Sequence, residues 1–402
     1  MKSLWGLLAL VAVLAVAALA VSSAPESDAE ARGACGNDLS WTLYDDGTLG
    51  IQGTGKMYDY DYLSNRAPWG TGVKSVAISS GVTSIGSYAF YGCTSLSSAT
   101  ILSSVTSIGE GAFEGCTSLS SVEIPSSVTS IGERAFFGCT SLSSVNIPSS
   151  VVEIGVSAFS GCTSLDRFSG TYVGISSDGV LLRNEKVLVS CAAGPGATSA
   201  VIPNSTTSIG SYAFYNCSFL SSVTIPSNVK TIGVSAFEGC TSLSSVMIPS
   251  SVTSVKSGAF FGCSSLEAID VDSGNAKYSS SDGVLFNKAK TELVTFPAGK
   301  QVTEYSVPST VTSIKSYAFE GSVVSSVYVP AAVTSIGAYA FRGCSSLEAI
   351  DVDSGNAEYS SSDGVLFDKA KTVLIAYPAM KQGTEYSVPA TVTSIKSYAF
   401  EG

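Results

Sequence analysis

The sequence predicts an α/β repeat solenoid, a stack of similar coils with a parallel β-sheet on one face and short helical turns on the other. An Ala-Phe pair recurs along the chain, with Phe at positions 90, 113, 136, 159, 214, 237, 260, 319, 341 and 400. Most intervals are 23 residues and one is 22, a period that is typical of solenoid repeats. A coil of this length buries its apolar edge only against a neighbouring coil, so the repeats must stack.

Each repeat begins with the alternation of a short strand. The unit 119–139 reads LSSVEIPSSVTSIGERAFFGC, and Val122 and Ile124 in it are spaced to face a core. Pro125 ends the pairing of the strand because it has no N–H to donate. Val128 and Ile131 are expected to face the same core from a descending arm, before the Ala-Phe pair forms a helical turn. The pattern L-x-x-V-x-I at this period predicts a leucine-rich-repeat array.

Composition changes divide the chain into three parts. Residues 1–31 hold an apolar run behind Lys2 and predict a secretory signal peptide, with an uncleaved membrane anchor as the alternative. Residues 32–72 predict an N-terminal β-hairpin cap, because two short β-rich runs flank the turn sequence Asp-Asp-Gly. Residues 73–402 form the solenoid. Its coils are expanded near 168–200, 269–305 and 350–386.

The expanded coils predict β-hairpin inserts. In the second of them, residues 284–286 and 293–296 have the composition of two hairpin arms. The third nearly copies the second, since residues 264–321 and 345–402 differ at nine of 58 aligned positions. The first expanded coil is degenerate in sequence.

The coil pattern I-P-x-x-V-x-x-I-x-x-x-A-F-x-x-C-x-x-L-x-x-V resembles the BspA-type, or Treponema-type, leucine-rich repeat of microbial surface proteins. The opening segment CGNDLSWTLYDDGTLGIQGTGKM and the S-S-D-G-V-L-F inserts are also similar to segments of that family. The resemblance covers roughly residues 35–402. Family members are described as secreted or cell-surface proteins, some of them adhesins. The resemblance therefore implies binding rather than catalysis, and it names no partner because the shared pattern consists of scaffold residues.

The composition argues against several functions. A formal net charge of −11 disfavours nucleic acid and anionic membranes as partners, because both require a basic face. The chain has no histidine, the commonest general base and zinc ligand. No outward strand carboxylate has an acidic neighbour on the adjacent strand, as paired-carboxylate chemistry requires. We therefore expect no enzyme, no cofactor and no membrane insertion beyond the signal segment.

Two arrangements could bind metal, and each has a structural alternative. A cysteine recurs at one slot of successive coils, as in Cys116 and Cys139, and forms either a metal or redox array or a ladder of small buried turn residues. The ladder is favoured because there is no Cys-x-x-Cys spacing. The acids of 270–275 and of its copy 351–356 offer oxygen ligands for calcium, but a solvated strand end is favoured because an EF-hand pattern is missing.

The expected binding surface lies on the inserts. The outward positions of the predicted sheet are mostly Ser, Thr and Ala, whereas interfaces usually depend on aromatic and Arg anchors. Tyr328 is the main aromatic exception on the sheet. The inserts add further aromatic residues, and loops on a rigid scaffold often carry function. The predicted ligand-binding residues are Tyr278, Phe296, Tyr328, Tyr359 and Tyr377.

Two functions remain open from the sequence. The first is a secreted or cell-surface module that binds an extracellular protein or glycan in adhesion or in cell–cell or host interaction. The second is a structural coat or spacer protein without a defined ligand. Near-perfect duplication and a plain Ser/Thr face favour the second, which predicts self-association through an uncapped C-terminal coil.

Overall fold

The computed structural model describes residues 29–172, 174–175, 180–192, 194, 198–382 and 385–401. The predicted signal peptide lies outside the described residues, except that its last three positions begin the first strand. The chain divides into two compact units, residues 1–196 and residues 197–402, which are described separately below.

The first unit is built from short strands. In chain order they are β1 (Ala29–Gly36), β2 (Asp38–Tyr44), β3 (Thr48–Lys56), β4 (Ser75–Ile78), β5 (Val82–Ile85), β6 (Ser98–Thr100), β7 (Ser107–Ile108), β8 (Ser121–Glu123), β9 (Ser130–Ile131), β10 (Ser144–Ile147), β11 (Glu153–Ile154), β12 (Arg167–Gly170), β13 (Val180–Arg183) and β14 (Val187–Cys191).

The second unit continues the pattern. Its strands are β15 (Ser199–Val201), β16 (Ser208–Ile209), β17 (Ser222–Thr224), β18 (Thr231–Ile232), β19 (Ser245–Ile248), β20 (Ser254–Val255), β21 (Ala268–Val271), β22 (Tyr278–Ser281), β23 (Val284–Asn287), β24 (Glu292–Thr295), β25 (Glu304–Ser306), β26 (Ser313–Ile314), β27 (Ser326–Val329), β28 (Ser335–Ile336), β29 (Ala349–Val352), β30 (Tyr359–Ser362), β31 (Val365–Asp368), β32 (Val373–Ala376) and β33 (Ser394–Ile395).

Each regular coil contributes two strands rather than one. In the first unit, β4, β6, β8, β10 and β12 pair in parallel as the predicted sheet. The descending arm adds a second parallel ladder of β5, β7, β9 and β11. Val122 and Ile131 point inward from the two arms and are buried, as the sequence predicts. The parallel solenoid is therefore confirmed, with a second ladder that the sequence analysis did not predict.

The prediction of helical turns is wrong for the described residues, which contain no helix. The Ala-Phe segments are turns, and their N–H groups bond to the next coil instead of along a helix. Phe90 N donates to Ala112 O at 2.7 Å, and Phe113 N donates to Ala135 O at 2.7 Å. The residue two before each Phe has a left-handed backbone, as at Arg134 with φ of 54°. An α-helix cannot continue through that conformation.

The core phenylalanines stack in runs of successive coils, from Phe90 to Phe159 in the first unit and from Phe214 to Phe260 and from Phe296 to Phe341 in the second. Phe113 and Phe136 have ring centroids 5.2 Å apart with an interplanar angle of 4°, and Phe136 and Phe159 repeat this arrangement at 5.2 Å. These rings are fully buried. Burial of such a ring contributes about 1.5–3 kcal/mol relative to an exposed one, so the stack accounts for much of the attraction between coils.

The cysteine slot completes the same turn. Cys139 Sγ donates to Phe113 O at 3.2 Å, and Cys263 Sγ donates to Phe237 O at 3.1 Å. Burial raises the pKa of the Cys162 thiol to about 12, so this thiol stays protonated. A thiol in this slot is therefore a small buried donor between coils, which matches the structural alternative given above.

The N-terminal segment forms the predicted hairpin. Strands β2 and β3 pair antiparallel, and β3 then pairs in parallel with β4 and β5. Trp69 donates from Nε1 to Ala89 O at 2.9 Å and packs on Phe90 with centroids 5.9 Å apart. The hairpin and Trp69 thus cover the apolar edge of the first regular coil.

The second and third expanded coils form three-stranded inserts. Strands β23 and β24 make the predicted hairpin, and β22 adds a further antiparallel strand. Strand β24 pairs in parallel with β26, so the insert joins the descending-arm ladder. Strands β30 to β33 repeat the arrangement. In the first expanded coil, β13 and β14 pair antiparallel.

We expect Ile131→Asp to destabilise the first unit by at least about 3 kcal/mol, because an unpaired carboxylate would replace a buried side chain in a continuous core. Urea denaturation of the mature chain measures this change. Ser121→Asp, on the exposed side of β8, is the control and should change stability by less than about 0.5 kcal/mol. Equal effects of the two substitutions would contradict the assigned core.

Candidate functional site

The strand face, which comprises the outward residues of the first-arm strands, offers few anchors. Ser121, Glu123 and Ser144 are exposed there, in keeping with the polar surface that the sequence predicts. Tyr328 is the aromatic exception, with 40% of its surface exposed, and its hydroxyl donates to the Asp353 carboxylate. Met247, which is 55% exposed, and Arg167 are further large side chains on this face.

Three of the aromatic residues predicted to bind ligand have packing roles. Phe296 is 1% exposed and stacks on Phe319 with centroids 5.1 Å apart, so its ring is part of the core. The Tyr278 hydroxyl accepts the Val255 N–H at 2.8 Å. The Tyr359 hydroxyl accepts the Ile336 N–H at 2.9 Å in the same way. Each tyrosine thus holds its insert against the coil before it.

Tyr377 takes the place that Phe296 has in the preceding insert. Its ring is partly buried and packs on Tyr386 and Phe400, with centroids 4.7 and 5.0 Å away. Tyr377 lies at the edge of the core, where the exposed part of its ring could contact a ligand. Tyr328 also remains a candidate, on the strand face.

The turns carry a second surface, which we call the turn face. It consists of the side chains two positions before and one position after each core Phe. Aromatic or charged residues occupy most of these positions. In the first unit they are Tyr88, Tyr91, Gly111, Glu114, Arg134, Phe137, Ser157 and Ser160; in the second they are Tyr212, Tyr215, Ser235, Glu238, Gly258, Phe261, Tyr317, Glu320, Tyr339, Arg342, Tyr398 and Glu401.

In the first unit the turn face begins with three tyrosines. Tyr62, Tyr88 and Tyr91 form a triangle with ring centroids 5.7 to 6.0 Å apart. Farther along, the Arg134 guanidinium lies 4.1 Å from the centre of the Phe137 ring and donates from Nε to Glu114 at 3.0 Å. Aromatic and Arg side chains of this kind dominate binding energy at protein interfaces.

In the second unit the turn face forms a longer aromatic row. Tyr317 and Tyr339 stack with centroids 5.1 Å apart, and Tyr398 packs on Tyr339 at the same distance. The Arg342 guanidinium lies 4.9 Å from the Tyr398 ring centre and 5.8 Å from that of Phe261. This row was not predicted from the sequence, although a Tyr recurs two positions before the Phe in several repeats.

A groove interrupts the turn face of the second unit where β24 joins the ladder. Leu293 pairs with Ile314, but Phe296 follows Leu293 by three positions whereas Phe319 follows Ile314 by five. The turn of the insert is therefore two residues shorter than its neighbours and lacks the left-handed residue. Its backbone lies between two longer turns, residues 256–261 and 315–320, which form the walls.

This first insert groove has a volume of about 350 Å³. Phe260, Phe261 and Tyr317 line it on the turn side, and the Phe261 and Tyr317 rings have centroids 6.3 Å apart. Lys315 donates from Nζ to Glu292 at 2.7 Å, so that cation is already paired. The groove thus combines aromatic walls with a few charged groups.

Glu320 is the unusual residue of the groove. It is only 5% exposed, and neither carboxyl oxygen has a hydrogen-bond partner. Its nearest cation is Arg342, with Nη1 to Oε1 at 3.4 Å. Burial raises the pKa of Glu320 to about 8; Arg342 opposes that rise, and Glu238 and Glu401 add to it. A buried carboxyl with so little compensation is costly to the folded chain.

A second insert groove, of about 240 Å³, lies at the equivalent place beside β32. Arg342 occupies there the position of Phe261, and Glu401 that of Glu320. Arg342 donates from Nε and Nη2 to Glu401 Oε1 at 3.0 and 2.9 Å. The second groove therefore neutralises its own carboxylate, whereas the first does not.

The segments weighed as calcium sites have structural contacts. Asn275 donates from Nδ2 to Pro249 O and Val252 O, and its Oδ1 accepts the N–H groups of Lys277 and Tyr278. Its amide is thus fully used in fixing the insert. Over the described ranges, no three His, Cys, Asp or Glu side chains are grouped closely enough to hold a metal ion. In the same ranges, no helix is long and apolar enough to span a membrane.

Comparison with known families agrees with the coil geometry. The model of the BspA type leucine rich repeat region matches residues 63–172, 191–305 and 295–364 in six copies. The chain belongs to the BspA-type leucine-rich-repeat family. No curated protein matches the chain.

Several solved structures are similar to the chain. A leucine rich cell surface protein from Faecalibacterium prausnitzii A2-165 is 25% identical over 94% of this chain and 87% of its own, with a TM-score of 0.46. A leucine-rich repeat protein from Bacteroides ovatus ATCC 8483 is 25% identical over 78% of this chain and 93% of its own, with a TM-score of 0.34. The T. pallidum leucine rich repeat protein is 28% identical over 61% of this chain and 90% of its own, with a TM-score of 0.31.

The raised pKa of Glu320 makes this BspA-type chain sensitive to pH. The folded chain holds a proton on Glu320 between the ordinary value of 4.5 and about 8, where the unfolded chain has lost it. Stability therefore falls as pH rises through this window. We expect Glu320→Gln to remove this loss, so that the variant gains stability over wild type between pH 5 and pH 9.

The measurement is the urea midpoint at each pH. Glu267→Gln, at an exposed position, is the matched control and should keep the wild-type slope. Parallel curves for wild type and Glu320→Gln would show that Glu320 ionises normally and would contradict its assigned environment.

Proposed function

We propose that this chain is a non-enzymatic secreted or cell-surface repeat protein that binds an extracellular protein or glycan, in adhesion or in cell–cell or host contact, through the turn face of its second unit. The observation that carries the proposal is the aromatic row of Tyr317, Tyr339 and Tyr398 with Arg342 beside it. Tyr and Arg are the residues on which binding energy most often depends at interfaces.

The turn face has a further property that suits binding. Tyr317 lies on a turn that is anchored in the core, because Phe319 is fully buried and its N–H donates to Ala340 O at 2.8 Å. Preorganised aromatic side chains lose little conformational entropy when a partner docks. The strand face has no comparable row, because its larger side chains, Tyr328, Met247 and Arg167, lie on strands that do not pair with one another. The Tyr328 hydroxyl is also already bonded to Asp353.

The surface location is supported by family membership and by the apolar segment that precedes the described residues. A formal charge of −11 and the absence of histidine support a binding role for this protein better than catalysis or nucleic-acid recognition.

The test is a binding screen of residues 32–402 against extracellular-matrix proteins, mucins and a glycan array, followed by titration of each hit. We expect Tyr317→Ser combined with Tyr339→Ser to weaken binding at least about tenfold, because two anchors are lost. Serine is a suitable replacement, since Ser157 and Ser235 already occupy this slot with left-handed backbones.

The matched control is Tyr328→Ser on the strand face, which should change affinity by no more than about twofold. The reverse ranking, with Tyr328→Ser as the damaging change, would place the site on the strand face and contradict the proposal.

A second candidate is a structural coat or spacer that assembles with itself. The observation that favours it is the near-perfect duplication of residues 264–321 in residues 345–402, which differ at nine of 58 aligned positions. Light scattering on the same sample separates the two functions. Concentration-dependent assembly with no hit in the screen would favour the coat, and saturable binding by a monodisperse sample would favour the adhesin.

A further inference from the structure

We propose that the first insert groove binds a lysine or arginine side chain of a partner polypeptide, with Glu320 as its counter-ion and Phe261 and Tyr317 as its aromatic walls. This inference rests on the proposed function and specifies the partner chemistry of one part of the turn face. It is carried by the geometry of the groove and by the unsatisfied carboxyl within it.

The aromatic walls suit a cation. Phe261 and Tyr317 belong to the two turns on either side of the short insert turn, and both line the groove. A ring face attracts an ammonium or guanidinium group placed within about 6 Å of its centre, more strongly where water is excluded. The aliphatic stem of Lys or Arg can in addition cover apolar surface of the groove.

The carboxyl of Glu320 requires a partner. Neither oxygen accepts a hydrogen bond from the chain, and only 5% of the residue is exposed to solvent. A carboxylate can accept hydrogen bonds at both oxygens, and a ligand ammonium or guanidinium supplies three to five donors. A bound cation would therefore satisfy a group that the chain itself leaves unsatisfied.

Arg342 does not satisfy this requirement. Two of its nitrogens donate to Glu401 Oε1, and only Nη1 approaches Glu320, at 3.4 Å. Burial also raises the pKa of nearby Glu238, and the positive charge of Arg342 offsets part of that rise. One guanidinium thus serves three carboxyl groups, which leaves the surroundings of Glu320 open to a further positive charge.

In the second insert groove the equivalent carboxylate already has a cation as its partner. There Arg342 stands where Phe261 stands in the first groove, and it neutralises Glu401, the counterpart of Glu320. The two grooves arise from nearly identical inserts, and of the three residues that would recognise a cation only Phe261 differs, since Tyr398 and Glu401 correspond to Tyr317 and Glu320. The overall charge of −11 adds long-range attraction for a basic partner.

The test is isothermal titration calorimetry of residues 32–402 with end-blocked tri-arginine and tri-lysine peptides, and with tri-glutamate and chitotriose as comparison ligands. We expect the basic peptides to bind wild type and Glu320→Gln to lose at least about tenfold in affinity, because a buried charge pair is removed. Glu267→Gln deletes the same charge at an exposed site and should change affinity less than about twofold.

The pH dependence gives a second readout. Glu320 is protonated in the free protein near neutral pH because its pKa is about 8, so binding a cation should release a proton and strengthen from pH 6 to pH 9. The titratable and charged groups near it are Arg342, Glu238, Glu401 and Tyr317, and Lys256, Glu292 and Lys315 line the same groove. Glu320→Gln should abolish this dependence while its melting curve shows that the fold is intact.

If Glu320→Gln and Glu267→Gln weaken peptide binding equally, the peptides are attracted to the acidic surface in general, and the proposed site in the groove is wrong. Absence of any binding of the basic peptides would also overturn the proposed site. Binding of chitotriose in place of the peptides would replace the polypeptide by a glycan. A hit from the extracellular screen that Glu320→Gln binds as well as wild type would overturn this inference alone and leave the proposed function standing.

Discussion

The structure depends on one recurring interaction, the bond from the backbone N–H of a core aromatic residue to the carbonyl of the Ala in the next coil, as from Phe90 to Ala112 and from Phe319 to Ala340. In the ten Ala-Phe turns a left-handed residue stands two positions before the Phe. That conformation costs about 1–2 kcal/mol at a non-glycine residue, and the stacked Phe rings offset it. The side chains at the two turn-face positions reach the surface in some coils, as at Tyr398, and are buried in others, as at Ser157 and Glu320.

The grooves arise where the turn of an insert lacks the left-handed residue that the Ala-Phe turns have. A turn that is two residues shorter still places Phe296 or Tyr377 in line with the core stack and still donates its N–H to the next Ala carbonyl, at 2.7 and 2.6 Å. It has no left-handed residue to carry a turn-face side chain. Each insert therefore keeps the core continuous and opens a recess on the turn face, where Glu320 in the first groove is removed from solvent.

The sequence predicted the parts of the fold that a local pattern specifies. The period, the inward Val and Ile positions, and the hairpin of residues 284–296 all follow from alternation and turn residues. The helical turns were predicted wrongly, because an Ala-Phe pair has good local helix propensity and bonds between coils are invisible in one repeat. Glu320 has the same repeat position as Glu114 and Glu238. Glu320 differs from these two residues in lying beside the shortened turn. That shortening can be recognised only when the register of β24 against β26 is known.

The most direct test of the account is hydrogen–deuterium exchange of residues 32–402 with and without a bound partner from the extracellular screen. The account predicts that protection on binding concentrates in the turns 256–261 and 315–320, with the strands 245–248 and 268–271 unchanged. Protection confined to those strands would show that the strand face binds the partner. It would contradict the central claim that the turn face carries the function.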